Sequence, residues 1–182
     1  EPVIALTLDG VGLGLDGTTW GGELLWVHGA RCERVGHLAP LALPGGDIAA
    51  REPWRMAAAL LHASGQAEQI VPRFAPVVGD TAARTVHAML ARGLNCPQTT
   101  AAGRWFDAVA GLLGLSVRQD MEAQAAIALE QAAARYLQAY GGALAQRTDP
   151  ALAPVDAAGC IDLRPLCQPW AQWHVPSPAQ AE

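Results

Sequence analysis

The chain opens on an almost unbroken apolar run, Val3-Ile4-Ala5-Leu6-Thr7-Leu8, that stops at Asp9-Gly10. A run of strand length, apolar on both alternating faces and ended by glycine, predicts a central strand covered from both sides. Glycines 10, 12, 14, 17, 21 and 22 then predict a loop, after which 23–28 and 32–38 read as two strands across a Gly29-Ala30 turn. The first quarter is therefore expected to be a β-meander. From Pro44-Gly45-Gly46 onward the apolar period lengthens to that of helices. Asp47 is expected to cap a helix through Arg51, Trp54, Met56 and Leu60-Leu61. Asp80 is expected to cap a second, 81–93, which Gly93 ends. A third spans about 101–113, and an alanine-rich fourth runs over 122–140 and stops at Gly141-Gly142. The stretch 160–164 reads as a strand, 166–182 as irregular chain, and no segment repeats. A short meander cannot bury both of its faces alone, so the helices or further chain must cover it.

Composition narrows the function classes. With 182 residues, 51% hydrophobic and 16% charged, the chain has the size and apolar content of one folded domain and not of a disordered segment. All 12 basic residues are scattered arginines and the net charge is −5, so nucleic acid is not an expected partner. No apolar stretch approaches the roughly 20 residues of a spanning helix, so no membrane association is expected either. Cys32, Cys96, Cys160 and Cys167 are too widely spaced for a zinc site, and the histidines at 28, 37, 62, 87 and 174 show no metal-binding pair. The thiols read as structural. No signal peptide is apparent, which makes the cytoplasm the expected location. Neither a GxSxG elbow nor a GxxxxGK[ST] loop occurs.

Four stretches can carry chemistry. In TLDGVGLG (7–14) a strand delivers Asp9 to a glycine-rich turn, a position for a cation ligand or for a simple turn former. In WGGE (20–23) paired glycines allow a close approach before Glu23, or form a bulge ahead of an edge strand. In 43–56, Arg51 and Arg55 sit near a helix start, where they oppose the macrodipole; anion recognition and Arg-Glu pairing with Glu52 both fit. In 100–114, Arg104 and Asp107 lie three apart on a helix, placed to meet a nucleotide, with Asp107 toward a ribose, or to pair with each other.

Taken in order, the blocks 6–25, 33–61, 95–115 and 122–130 resemble the HypF carbamoyltransferases of nickel-iron hydrogenase maturation, from about Val3 to Pro165. The resemblance implies an α/β partial domain of the actin and sugar-kinase-like (ASKHA) fold, a meander followed by a helical block, within a catalytic module related to the TsaD-type transferases. Residues 1–165 would form that partial domain. It further implies an enzyme that makes carbamoyl-adenylate from carbamoyl phosphate and ATP, then passes the carbamoyl group to the C-terminal cysteine of HypE. The thiocarboxamide formed there is the precursor of the hydrogenase cyanide ligand.

By the same resemblance Asp9 matches a ligand of a divalent metal: iron, zinc or magnesium. Gly103, Arg104 and Asp107 match the nucleotide-lining block. Gly10, Gly12, Trp20, Gly21, Gly22 and Glu23 match a loop beside the transfer site. Asp47, Arg51, Glu52 and Arg55 match a block with no assigned role, and no protein nucleophile is assigned. The family's HHHAH metal motif and its SGGVFQN-like phosphate loop lie outside 1–182, so the chain alone is expected to be inactive. Ala101 stands where the family has serine, and Asp120-Met121-Glu122-Ala123 where it has SYEG. Two other readings are a non-catalytic interaction module of hydrogenase maturation and a small-molecule O-carbamoyltransferase.

Overall fold

The structure, a computed structural model, describes residues 1–140 and 149–171. Strand β1 (Val3–Leu6), a small hairpin of β2 (Gly12–Leu13) and β3 (Thr19–Trp20), and the long hairpin of β4 (Glu23–His28) and β5 (Arg31–Leu38) form the meander, followed by β6 (Leu41–Ala42). Then come α1 (Asp47–Arg51), α2 (Pro53–Ala63), α3 (Ile70–Val78), α4 (Asp80–Arg92), β7 (Gln98–Thr99), α5 (Ala102–Leu112), α6 (Gln124–Tyr140), β8 (Cys160–Ile161) and α7 (Arg164–Ala171). One sheet has the order β1-β4-β5-β8, antiparallel except for the parallel β5-β8 contact. A smaller sheet, β2-β3-β7-β6, ties the first hairpin to the segment before α5. The α/β meander-then-helices reading is thus observed.

The core lies among the helices. Trp54, Met56, Leu60 and Leu61 of α2 pack with Ile70, Phe74, Val86, Leu90, Trp105 and Leu112. The Trp54 and Phe74 rings meet at 5.8 Å, and the Trp105 indole donates to the Ala39 carbonyl, 3.1 Å, so the one polar atom of a buried ring is satisfied. Helices α2 and α5 approach so closely at Gly111 that a Cβ there would stand 2.4 Å from the Pro53 carbonyl oxygen. A methyl group at that crossing would force the two helices apart.

Several expectations change. Among the described residues strand β1 is an edge, not a central strand: Val3, Ile4, Leu6 and Leu8 are all more than half exposed. The loop expected over 10–22 contains the β2-β3 hairpin. Asp47 and Asp80 begin their helices rather than cap them, the caps being Gly46 and Gly79. The helix expected from Asp47 through Leu61 breaks at Glu52, because Pro53 disfavours a helical residue before it and starts α2 afresh. Helix α3, which carries Pro72 and Pro76, lacked any expectation. The irregular segment expected over 166–182 is helical as far as Ala171; residues 172–182 and the Gly141-Gly142 stop lie outside the described residues. Among the described residues no helix is long and apolar enough to cross a membrane, and all four cysteines are free thiols.

Candidate functional site

The end of β1, the β3-β4 turn and the start of α5 meet at one corner. Asp9 N donates to the Gly21 carbonyl, 2.7 Å; Ala102 N donates to the same oxygen, 3.0 Å, and Gly103 N to the Asp9 carbonyl, 3.1 Å. Helix α5 has no side-chain cap, so these strand carbonyls satisfy its first amides in place of one. Ala101 is the capping residue and is fully buried. A serine hydroxyl there would therefore serve the helix start, and its loss is made good by backbone. Gly103 is needed because Gly10 lies against it: a Cβ at 103 would stand 2.8 Å from the Gly10 Cα.

Beside this corner opens a cavity of about 440 Å³. Its lining includes Gly10 and Thr19, Asp47 and Arg51 of α1, Arg104 of α5 and residues 119–123. Arg104 forms an ion pair with Asp107. Its Nη2 lies 3.1 Å from Asp107 Oδ2 without hydrogen-bond geometry, and its Nε is buried without a partner. Gln119 joins three elements: its Nε2 donates to the Ala50 carbonyl, 2.5 Å, and to Asp107 Oδ1, 3.3 Å, while its Oε1 accepts from Ala125 N, 3.0 Å.

Asp107 itself does not line the cavity. It is 2% exposed, and burial pushes its carboxyl up to about 6, against Arg104 and Gln119, which pull it down. In the unfolded chain the same group titrates at 3.8, so between these values the folded state holds a proton that the unfolded state releases. Stability from this group is fully present below 3.8 and is lost as pH rises through about 6, a span on the order of 3 kcal/mol. Urea melts of Asp107→Asn at pH 4.5 and pH 7 are expected to show a smaller fall with rising pH than the parent. An equal fall in both would remove Asp107 as its source.

Ala123 adopts φ 60°, the left-handed region where a Cβ costs about 1 kcal/mol and glycine does not suffer. It stands where the resembling family has glycine. Ala123→Gly is accordingly expected to stabilise the chain by about 0.5–1 kcal/mol in denaturant melts, against the usual sense of such a change.

The remaining expected site residues divide. Gly10, Asp47, Arg51 and Arg104 line the cavity, and Asp9 adjoins it through Gly10. Glu52 and Arg55 pair with each other at 2.5 Å, with Glu52 also accepting from the Trp54 indole at 3.1 Å and lying 3.4 Å from Arg118; they brace the α1-α2 joint and do not face the cavity. Gly103 serves the close approach to Gly10. Gly12 and Trp20 belong to the small hairpin, Trp20 packing its indole against Gly14. Gly21 and Gly22 give their amides to Glu23 Oε2 at 2.6 and 2.7 Å.

Glu23, expected beside the transfer site, is 2% exposed and wholly engaged inside. Its Oε2 also accepts from Thr7 Oγ1, 3.2 Å, and its Oε1 from Arg34 Nη2, 3.0 Å, and from the Thr100 hydroxyl. Its place is structural. Arg34 and Gln119 were not anticipated, since their partners lie far away in sequence.

The residue matched to a cation is Asp9. Asp9 is exposed and its Oδ1 accepts from Gly10 N, 2.6 Å, which leaves Oδ2 available. Among the described residues no three His, Cys, Asp or Glu side chains gather into a ligand set.

Comparison with known proteins gives a consistent result. The family described as "Carbamoyltransferase, Kae1-like Domain, second subdomain" matches residues 5–181. A carbamoyltransferase HypF homolog of Cupriavidus necator is 60% identical over 168 residues, covering 92% of this chain and 42% of that protein. The crystal structure of T.kodakarensis HypF superposes with a TM-score of 0.74 at 31% identity, over 93% of this chain and 22% of that one. Full-length HypF in a phosphate- and nucleotide-bound form gives 0.63 at 32% identity, over 71% and 20% respectively. The chain thus spans less than half the length of these relatives.

Proposed function

Since the chain belongs to the HypF carbamoyltransferase family as the second subdomain of its Kae1-like domain, we propose that it forms one wall of an ATP-dependent carbamoyl-transfer site. The observation that carries this reading is Arg104, a guanidinium that lines the cavity and lies 3.1 Å from the buried Asp107 carboxylate. A preset positive charge lining a cavity suits the phosphate of an adenylate. That a solved relative is described as phosphate- and nucleotide-bound supports the same ligand class.

In this reading the thiolate of the acceptor cysteine of HypE attacks the carbonyl carbon of carbamoyl-adenylate. The carbon–sulfur bond forms, the bond from carbon to the phosphate oxygen breaks, AMP leaves with the electron pair, and the thiol proton has passed to solvent. Arg104 holds the phosphate and offsets the charge that grows there as AMP departs. Asp107 and Gln119 keep the guanidinium and the 119–123 wall in place. Asp9 contributes one oxygen toward a divalent cation whose other ligands come from outside this chain.

The test is carbamoylation of HypE by the full-length protein given carbamoyl phosphate and ATP, read by mass of the acceptor. Arg104→Ala is expected to lower the rate by roughly 100-fold. Undiminished transfer would take the nucleotide away from this cavity.

A further inference from the structure

Arg34 lies outside the cavity, yet it joins the buried Glu23 carboxylate to the hairpin that walls it. Its Nη2 donates to Glu23 Oε1 at 3.0 Å and to Thr100 Oγ1 at 3.1 Å. Its guanidinium carbon lies over the Trp20 indole, 4.3 Å from the ring centroid, and its Nη1 lies 3.7 Å from Asp16 Oδ2. Trp20 and Asp16 belong to the β2-β3 hairpin and its tip. There Asp16 also accepts from Thr18 N, 2.9 Å, and Trp20 Nε1 donates to Thr18 Oγ1, 3.0 Å.

Beyond Arg34, the hairpin is tied to the segment before α5 at Thr19, whose carbonyl accepts from Thr100 N, 3.0 Å. Val11, Leu13 and Leu15 are 70%, 87% and 91% exposed, and its sheet contact beyond itself is the Thr19-Thr99 pair. Gly10, Val11 and Thr19 nevertheless form cavity wall. An element with so few buried contacts opens locally at small cost unless something fastens it. A planar cation clamped between a buried carboxylate and an indole is suited to that, because its ring contact and its forked donors act together.

We propose that Arg34 is a positioning residue for the transfer reaction, holding the β2-β3 hairpin, and with it Val11 and Thr19 of the cavity wall, at the distance from Arg104 that the bound adenylate requires. This rests on the transfer reading above. Because Arg34 does not touch the cavity, its loss leaves the ligand's own contacts in place and disturbs their geometry. A misplacement of about 1 Å at a reacting centre is felt as a rate loss on the order of 100-fold.

The experiment compares Arg34→Gln and Arg34→Lys with the parent in the full-length protein. Amide exchange over 11–20 is expected to quicken in Arg34→Gln by roughly tenfold more than that of the α2-α5 core. The kcat for carbamoyl transfer should fall at least about tenfold with the KM for ATP within about threefold. Lysine, which keeps the charge without the plane, should fall between. If Arg34→Gln does not fold, Trp20→Leu, which leaves the Glu23-Arg34 pair intact, is read in the same way. Unchanged hairpin exchange, or a lowered melting temperature with unchanged kcat, overturns the proposal. Absence of transfer in the parent overturns the functional reading instead, and exchange alone then decides whether Arg34 fastens the hairpin.

Discussion

Glu23→Ala is expected to cost this chain about 3–5 kcal/mol, a large share of the roughly 5–15 kcal/mol by which domains of this kind are stable. The carboxylate accepts from Gly21 N, Gly22 N, Thr7, Arg34 and Thr100, and alanine would strand those donors in the interior. The value should fall toward the lower end because the Arg34 side chain keeps 20% exposure and regains some hydration. Glutamine would rescue only part, since its amide nitrogen is itself a donor and would face donors. Urea unfolding followed by circular dichroism measures this. A loss below about 1 kcal/mol for alanine would show that the network contributes little more than a surface pair does.

Asp9→Ala is expected to do the opposite: stability within about 0.5 kcal/mol of the parent, and carbamoyl transfer reduced by roughly 100-fold or more. Asp9 sits a few residues from Glu23's partners, but its side chain is exposed and accepts one hydrogen bond, from Gly10 N. The corner it occupies is held by backbone, through Asp9 N to Gly21 and the Asp9 carbonyl to Gly103, and those bonds survive truncation. Retained transfer in the variant would remove Asp9 from the site. A melting transition lowered as far as that of Glu23→Ala would show that its carboxylate is structural after all.

What the sequence shows well is whatever is settled locally. The β4-β5 hairpin follows from alternation around Gly29-Ala30, and α4 ends at Gly93 in the left-handed conformation its position calls for. The Arg104-Asp107 pair was visible as a spacing of three, although whether Asp107 faced a ligand or its neighbour was open; it is buried behind Arg104. Long-range contacts decide what stayed hidden. Gln119 acts through Ala50 and Arg34 through Thr100, separations of 69 and 66 residues, and no local pattern marks either one. Glu23 shows the same limit: a glutamate after two glycines looks the same in sequence whether it faces solvent or receives their amides. In β1 the apolar pattern predicted covered faces that the described residues do not supply.

That uncovered strand has a practical consequence. Thr7 and Asp9 turn their amides toward the β3-β4 segment, so alternation points those of Ile4, Leu6 and Leu8 outward from an edge flanked by apolar side chains. Produced as a separate piece, the polypeptide offers a template onto which an extended segment of a second molecule can add, and it will clump as its concentration rises. A lysine at Ile4 or a proline at Leu6 would blunt that edge and keep the preparation dispersed.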